Sequence, residues 1–222
     1  MRRRAVVLLS GGLDSAVTLF WAKKKLYDCH CLAFDYGQRH TKELRSAKRL
    51  AARVGTALTI VKLRLPWKGS SLVDRREKLP SGRSLASIRS GIPSTYVPGR
   101  NTIFISIAAS FAEAIRARAI FIGAHIEDSS GYPDCRPAYL AAFNAVIKKG
   151  TKLGIEKKLG LEFPLVKMTK SRIIRLGASL GVPFGYTWSC YRGARRPCGT
   201  CDSCILRAKG FREARIEDPA IG

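Results

Sequence analysis

The chain alternates short apolar runs with longer stretches of helical periodicity. Ala5 to Leu9, Cys29 to Phe34, Ala57 to Val61 and Ala119 to Gly123 are apolar segments of strand length. Between them, Thr41 to Val54 places Leu44, Ala47, Leu50, Ala51 and Val54 on one helical face and its charges on the other. Asn101 to Ala117 and Pro137 to Lys149 repeat that spacing. Apolar strands that take turns with amphipathic helices predict an α/β fold, a doubly wound parallel sheet of Rossmann-like type. From Pro66 to Pro98 the composition shifts to Pro, Gly, Ser and charge, too long for an ordinary connection, and predicts a lid or insertion. After about Pro183 the alternation stops and a segment rich in Cys and Arg begins. The expected organisation is one α/β domain over residues 1–182 with a small element, 183–222, packed on it.

The first apolar run leads straight into Ser10-Gly11-Gly12-Leu13-Asp14-Ser15. Between a buried strand and a helix such a turn points backbone amides at an anion, with the glycines leaving room and the helix dipole favouring negative charge. Asp14 or Ser15 is expected to cap an amphipathic helix. The turn lacks the G-x-x-x-x-G-K-[ST] spacing of a Walker motif, and Asp14 suggests a role with magnesium. Two glycines alone also suit an ordinary capped turn; the whole hexapeptide after a strand favours a nucleotide phosphate. Ligands of open α/β sheets sit beyond the carboxyl ends of the strands. Asp35 to His40, Thr95 to Asn101 and His125 to Arg136 collect the chain's unusual polar residues at such ends and predict one shared cleft.

Cys190, Cys198, Cys201 and Cys204 bring four thiolates within fifteen residues. They fit a closed, structural tetrahedral zinc site, favoured over the competing iron–sulfur cluster. Cys29 and Cys31 read as core packing, and Cys135, with no adjacent base, as an improbable nucleophile. The chain has 222 residues, is 46% hydrophobic and carries a net charge of +24, its 40 cations spread along the whole length. No apolar run approaches the ~20 residues needed to span a bilayer, and Arg2 to Arg4 do not open a secretory signal, so a cytoplasmic address is expected. The charge suits either an RNA-binding surface or a generally basic one that attracts ATP and an anionic substrate; no RNA-binding fingerprint accompanies it, which favours the second.

Ser10 to Ser15 resembles the phosphate turn of the PP-loop ATP pyrophosphatases. Phe34 to His40, Val97 to Asn101, Ser130 to Arg136 and Cys190 through Cys204 together resemble, in order and nearly end to end, the 7-cyano-7-deazaguanine synthase family. The resemblance implies conversion of 7-carboxy-7-deazaguanine and ammonia to the nitrile through adenylated carboxylate and amide, with release of AMP and pyrophosphate, in deazapurine biosynthesis of the queuosine and archaeosine type. It implies ATP held by Leu9, Ser10, Gly11, Gly12, Leu13, Asp14, Ser15, Ala16, Val17, Thr18 and Leu19, with Mg2+ on the nucleotide. Asp14, Arg39, Arg100 and Lys170 are the expected catalytic residues. Asp128, Asp134 and Arg136 are expected at the substrate, the acids on its guanine-like N–H edge or a metal and the arginine on its carboxylate. His40 is either a proton shuttle or packing. A homodimer is expected, with no membrane and no nucleic acid substrate. The competing readings are a tRNA-modifying enzyme of thiolase type on the same turn, a ligase joining the deazaguanine to another amine, and a basic zinc-binding adaptor.

Overall fold

In a computed structural model that describes residues 3–126 and 131–220, β1 (Arg4–Leu8) lies at the centre of a five-stranded sheet. It pairs in parallel with β2 (Asp28–Asp35) on one side and β4 (Ala119–Phe121) on the other, so that Ala5 faces both Cys29 and Ala119. β3 (Ala57–Lys62) and β5 (Gly160–Glu162) complete the order β3-β2-β1-β4-β5, all parallel. The four strands expected from the sequence are present within a residue or two. β5 was not legible: three residues beginning with glycine carry too little pattern.

Alternate side chains of β1 feed two cores. Ala5 and Val7 join Cys29 and Cys31 beneath α1 (Leu13–Lys24) and α2 (Lys42–Arg53), a core closed by α7 (Lys170–Ser179) and α8 (Asp202–Ala214). Val6 and Leu8 join Leu32 and Ile120 beneath α4 (Arg100–Ala114) and α5 (Pro137–Gly150), which the short α6 (Lys152–Ile155) follows. Both faces of the sheet are thus covered, as a parallel sheet requires. The connections from β1 run outward on one face, those beyond β3 on the other, so the chain switches direction between β1 and β4. That crevice is where ligands of such sheets bind.

Two local expectations are corrected. α1 begins at Leu13 with Gly12 in the cap position and no side-chain cap; the Ser15 hydroxyl donates instead to the Gly12 carbonyl at 3.0 Å. Nor is α1 amphipathic: Ala16, Val17, Thr18, Leu19 and Ala22 are all buried, because the sheet covers one side and α7 the other. The Cys-rich end, which looked irregular, holds the thirteen-residue α8 packed on α7. Residues 66–98 contain α3 (Leu85–Arg89), capped by the Ser84 side chain accepting from the Ser87 N–H. Among the described residues no helix is long and apolar enough to cross a membrane.

α7 approaches α1 closely because Gly177 has no side chain. A Cβ there would lie 2.6 Å from Phe184 Cζ and 2.8 Å from Val17 Cγ2. Gly177→Ala is therefore expected to cost ~1–3 kcal/mol by overpacking, read as a lower melting temperature.

Candidate active site

The turn after β1 is held by its own backbone. Gly12 N–H donates to the Ser10 hydroxyl at 3.2 Å, and the Ser10 and Ser15 hydroxyls lie 3.0 Å apart. Gly11 has φ +91°, a left-handed conformation that favours glycine, and a Cβ there would fall 2.0 Å from the Glu43 carbonyl oxygen in the first turn of α2. Gly123, just past β4, leaves a similar gap: its Cβ would meet the Asp14 carbonyl and the Ser15 nitrogen at 3.0 Å. Two strand ends and two helix starts therefore converge on a cleft of about 300 Å³, lined by Ser10, Gly12, Asp14, Tyr36, Glu43, Arg100, Tyr132 and Lys170 among others.

Asp14 and Lys170 meet at the cleft's inner wall. The Lys170 ammonium donates to both Asp14 carboxylate oxygens at 2.8 Å and lies 2.8 Å from His125 Nε2, itself 3.7 Å from Asp14. Burial opposes ionisation of Asp14, yet Lys170 and His125 outweigh it and hold the carboxyl below its ordinary 3.8. Lys170 is thus a buried, paired cation, not one of the many solvated ones.

The second and third motifs meet through a helix cap. Gly99, at φ +63°, starts α4; the Asn101 N–H donates to Asp134 Oδ2 at 2.9 Å, and Asn101 Nδ2 donates to Cys135 Sγ at 3.1 Å. Asp134 is accordingly occupied in capping the start of α4, where the helix dipole welcomes a carboxylate, and does not line the cleft. Arg136 is exposed at the start of α5, outside the cleft wall. Asp128 lies outside the described residues. Arg39 lines the cleft, but its Nε donates to Ser71 O at 2.6 Å and its Nη2 to the carbonyls of Asp74 (2.8 Å) and Glu77. It ties residues 71–77 to the loop after β2. Arg100 donates to the Tyr36 hydroxyl at 3.3 Å and stays charged despite burial, the phenol favouring its cationic form. His40 is wedged against the tail, where a Cβ on Gly193 would lie 2.3 Å from its own, and burial lowers its basicity. Buried Cys29 has its thiol pushed up to about 11, as an inert core residue should.

The Sγ atoms of Cys190, Cys198, Cys201 and Cys204 lie within 4.8 Å of one another, compact enough to bond one centre. The N–H groups of Cys198 and Cys201 donate to the sulfurs of Cys190 and Cys198 at 3.4 and 3.3 Å, as thiolate ligands accept. The donor set fits a metal with no ligand position left open. The loop also carries the insertion: Gly82 N–H donates to Thr200 O at 2.8 Å, and Arg83 pairs with Asp202 at 2.9 Å. Trp188 N–H, in turn, donates to Gly11 O at 3.0 Å, joining the tail to the phosphate turn.

The family model described as "Queuosine biosynthesis protein QueC" matches residues 4–215. The chain belongs to this family. A 7-cyano-7-deazaguanine synthase of Thermoplasma acidophilum is 51% identical over 218 residues, covering 98% of this chain and 91% of the relative. One of Trichodesmium erythraeum is 48% identical over 222 residues, covering 98% and 100%. Among solved structures, NMN synthetase from Francisella tularensis has the same fold at a TM-score of 0.52, with 14% identity over 97% of this chain and 78% of that one. A predicted subunit of tRNA methyltransferase from Methanocaldococcus jannaschii matches at a TM-score of 0.50 and 14% identity, covering 99% and 92%.

In this QueC-family site, the sequence places His125 near the cleft as part of a polar loop but marks no role for it, and Glu43 escapes the sequence reading altogether. His125 completes the Asp14–Lys170 cluster, and Glu43 lines the cleft with its carboxyl pushed by burial up to about 7, against the pull of Arg100. An acid in the first turn of a helix reads as an ordinary dipole partner, so nothing local marks Glu43.

Lys170→Met leaves Asp14 partly buried without its cation, a quarter of the side chain still open to the cleft. The expected cost at pH 7 is ~1–3 kcal/mol, less than for a fully buried pair. Because the folded pKa of Asp14 is depressed, the pair's contribution is present above the unfolded value, 3.8, and fades as pH falls through the lower folded one. Urea unfolding of both proteins should show the difference narrowing below about pH 4. Cys201→Ser should lose bound metal and melting temperature together, with proteolysis inside residues 66–98 preceding global unfolding.

Proposed function

We propose that the chain converts 7-carboxy-7-deazaguanine and ammonia to 7-cyano-7-deazaguanine with ATP, releasing AMP and pyrophosphate. The observation that carries this reading is that the motifs spread along the chain fold around one cleft whose floor is a phosphate-type turn. Relatives named for this activity align over nearly the whole chain.

The chemistry needs what the cleft offers. A carboxylate is already anionic and has no good leaving group, so ammonia attacks it only after adenylation has supplied both electrophilicity and AMP as the departing group. The resulting amide still holds an oxygen, and a second adenylation at the same site lets it depart as the nitrile forms. The turn from Leu9 to Ser15 holds the nucleotide, with Ser10, Gly11, Gly12 and Ser15 against its phosphates; Ala16, Val17, Thr18 and Leu19, expected there too, are buried in α1 away from the cleft wall and only support the turn. Lys170 and Arg100 face the charge that develops on phosphate. Arg39 acts on the same step by fixing the insertion over the cleft. Asp128 is a remaining candidate for the substrate's N–H edge.

Magnesium arriving with ATP would neutralise phosphate charge. Asp14 suits its orientation as one carboxylate beside substrate phosphates, the usual way such ions are held. Zinc is the metal that the four sulfurs suit, and with every position filled by protein its role is structural. A cytoplasmic homodimer acting on these small molecules, with no nucleic acid substrate, belongs to the same proposal.

Incubation of the protein with ATP, magnesium, ammonium and the carboxy-deazaguanine should yield AMP and the nitrile by mass spectrometry, with no tRNA present. Asp14→Asn should lower AMP formation by ~10²-fold or more while the protein still melts cooperatively; undiminished turnover would remove the nucleotide assignment.

A further inference from the structure

Amination creates a proton problem that the groups assigned above do not solve. When the lone pair of ammonia adds to the acyl carbon, nitrogen becomes cationic, and that proton must leave before the intermediate collapses forward. Among the described residues, three carboxylates line the cleft. Asp14 has both oxygens on Lys170, and Asp202 is paired with Arg83 at 2.9 Å. Glu43 is the cleft-lining carboxylate that, among the described residues, accepts no hydrogen bond and makes no close ion pair. Its place is fixed. The Glu43 carbonyl fills the space that Gly11 leaves open, so the first turn of α2 abuts the phosphate turn, while Tyr36 from the end of β2 and Arg100 from α4 share its wall. The junction between α-phosphate and acyl carbon belongs beside that turn.

Resting on the synthase reading above, we infer that Glu43 is the general base of the amination step. The nitrogen lone pair forms the C–N bond as the carbonyl π pair moves onto oxygen. The Glu43 carboxylate takes the proton from that nitrogen, the C=O bond re-forms, and the C–O bond to AMP breaks with its electron pair leaving on AMP. The products are the amide, AMP and a protonated Glu43, which returns its proton to water. A base near neutrality is well matched to this transfer, and burial among the strand ends raises Glu43 to about 7 while the charged Arg100 restrains the rise. Arg100 also faces the oxygen that turns anionic as nitrogen adds, so the acid and the cation divide the two charges of the intermediate.

The test separates adenylation from amination in Glu43→Gln. Exchange of labelled pyrophosphate into ATP, dependent on the carboxy-deazaguanine, reports adenylation without ammonia. It should stay within about threefold of wild type while amide and nitrile formation falls ~10²–10⁴-fold. A parallel fall in exchange and amination would make Glu43 a substrate-binding group, on the guanine-like N–H edge for instance, and overturn the inference; so would undiminished amination. Retained exchange is itself proof of a folded site. Should the Gln variant fail to fold, Glu43→Asp, which keeps the charge but withdraws it by one methylene, should retain exchange and lose amination about tenfold. Wild-type protein that makes no nitrile would instead remove the synthase reading, leaving the two failures distinguishable.

Discussion

Three parts of the chain meet where Gly11 has no side chain. The turn after β1, the first turn of α2 and the backbone of Trp188 approach there at hydrogen-bond and contact distances. A methyl group would push α2 off the turn by overlapping its carbonyl. The phosphate turn is thus one surface of a packed junction, and the amides presented to a ligand are positioned by elements from opposite ends of the chain. Gly123 applies the same constraint from the β4 side. Preorganisation of this kind suits electrostatic catalysis, since donors already in place cost no reorganisation when charge appears.

Electrostatics within the junction follow from burial. Asp14 and Lys170 are far apart in sequence but share the wall where α1 and α7 pack, and His125 adds a third polar group. Removing two charges from water is costly, and the pair persists because each satisfies the other at close range. At the cleft's other side, Glu43, Tyr36 and Arg100 form a looser group in which the carboxyl has no direct partner among the described residues. One acid is held firmly ionised and the other is poised near neutrality, a separation of environments that enzymes use to divide roles between like side chains.

The parts of the structure visible in the sequence were those with local pattern: four strands of apolar runs, the periodic face of α2, the spacing of four cysteines and the hexapeptide turn. The parts that were hidden depended on distant partners. Asp134 looked like a ligand group because it sits in a polar loop, yet it caps a helix that begins more than thirty residues earlier. Arg136 looked like a carboxylate clamp and faces solvent at the head of α5. Lys170 is one of 40 cations, and only packing shows that it is buried. Gly12 in place of a side-chain cap for α1 makes sense once the turn is seen to need its backbone open.

The contacts between the insertion and the cysteine loop have a thermodynamic corollary. If ligand in the cleft favours the arrangement in which Gly82 and Arg83 rest on Thr200 and Asp202, it also favours the geometry of the four sulfurs. Coupling between two binding events is reciprocal, so whatever the metal contributes to nucleotide affinity, the nucleotide returns as affinity for the metal. A working enzyme would then guard its own ion, and depletion would fall first on idle molecules.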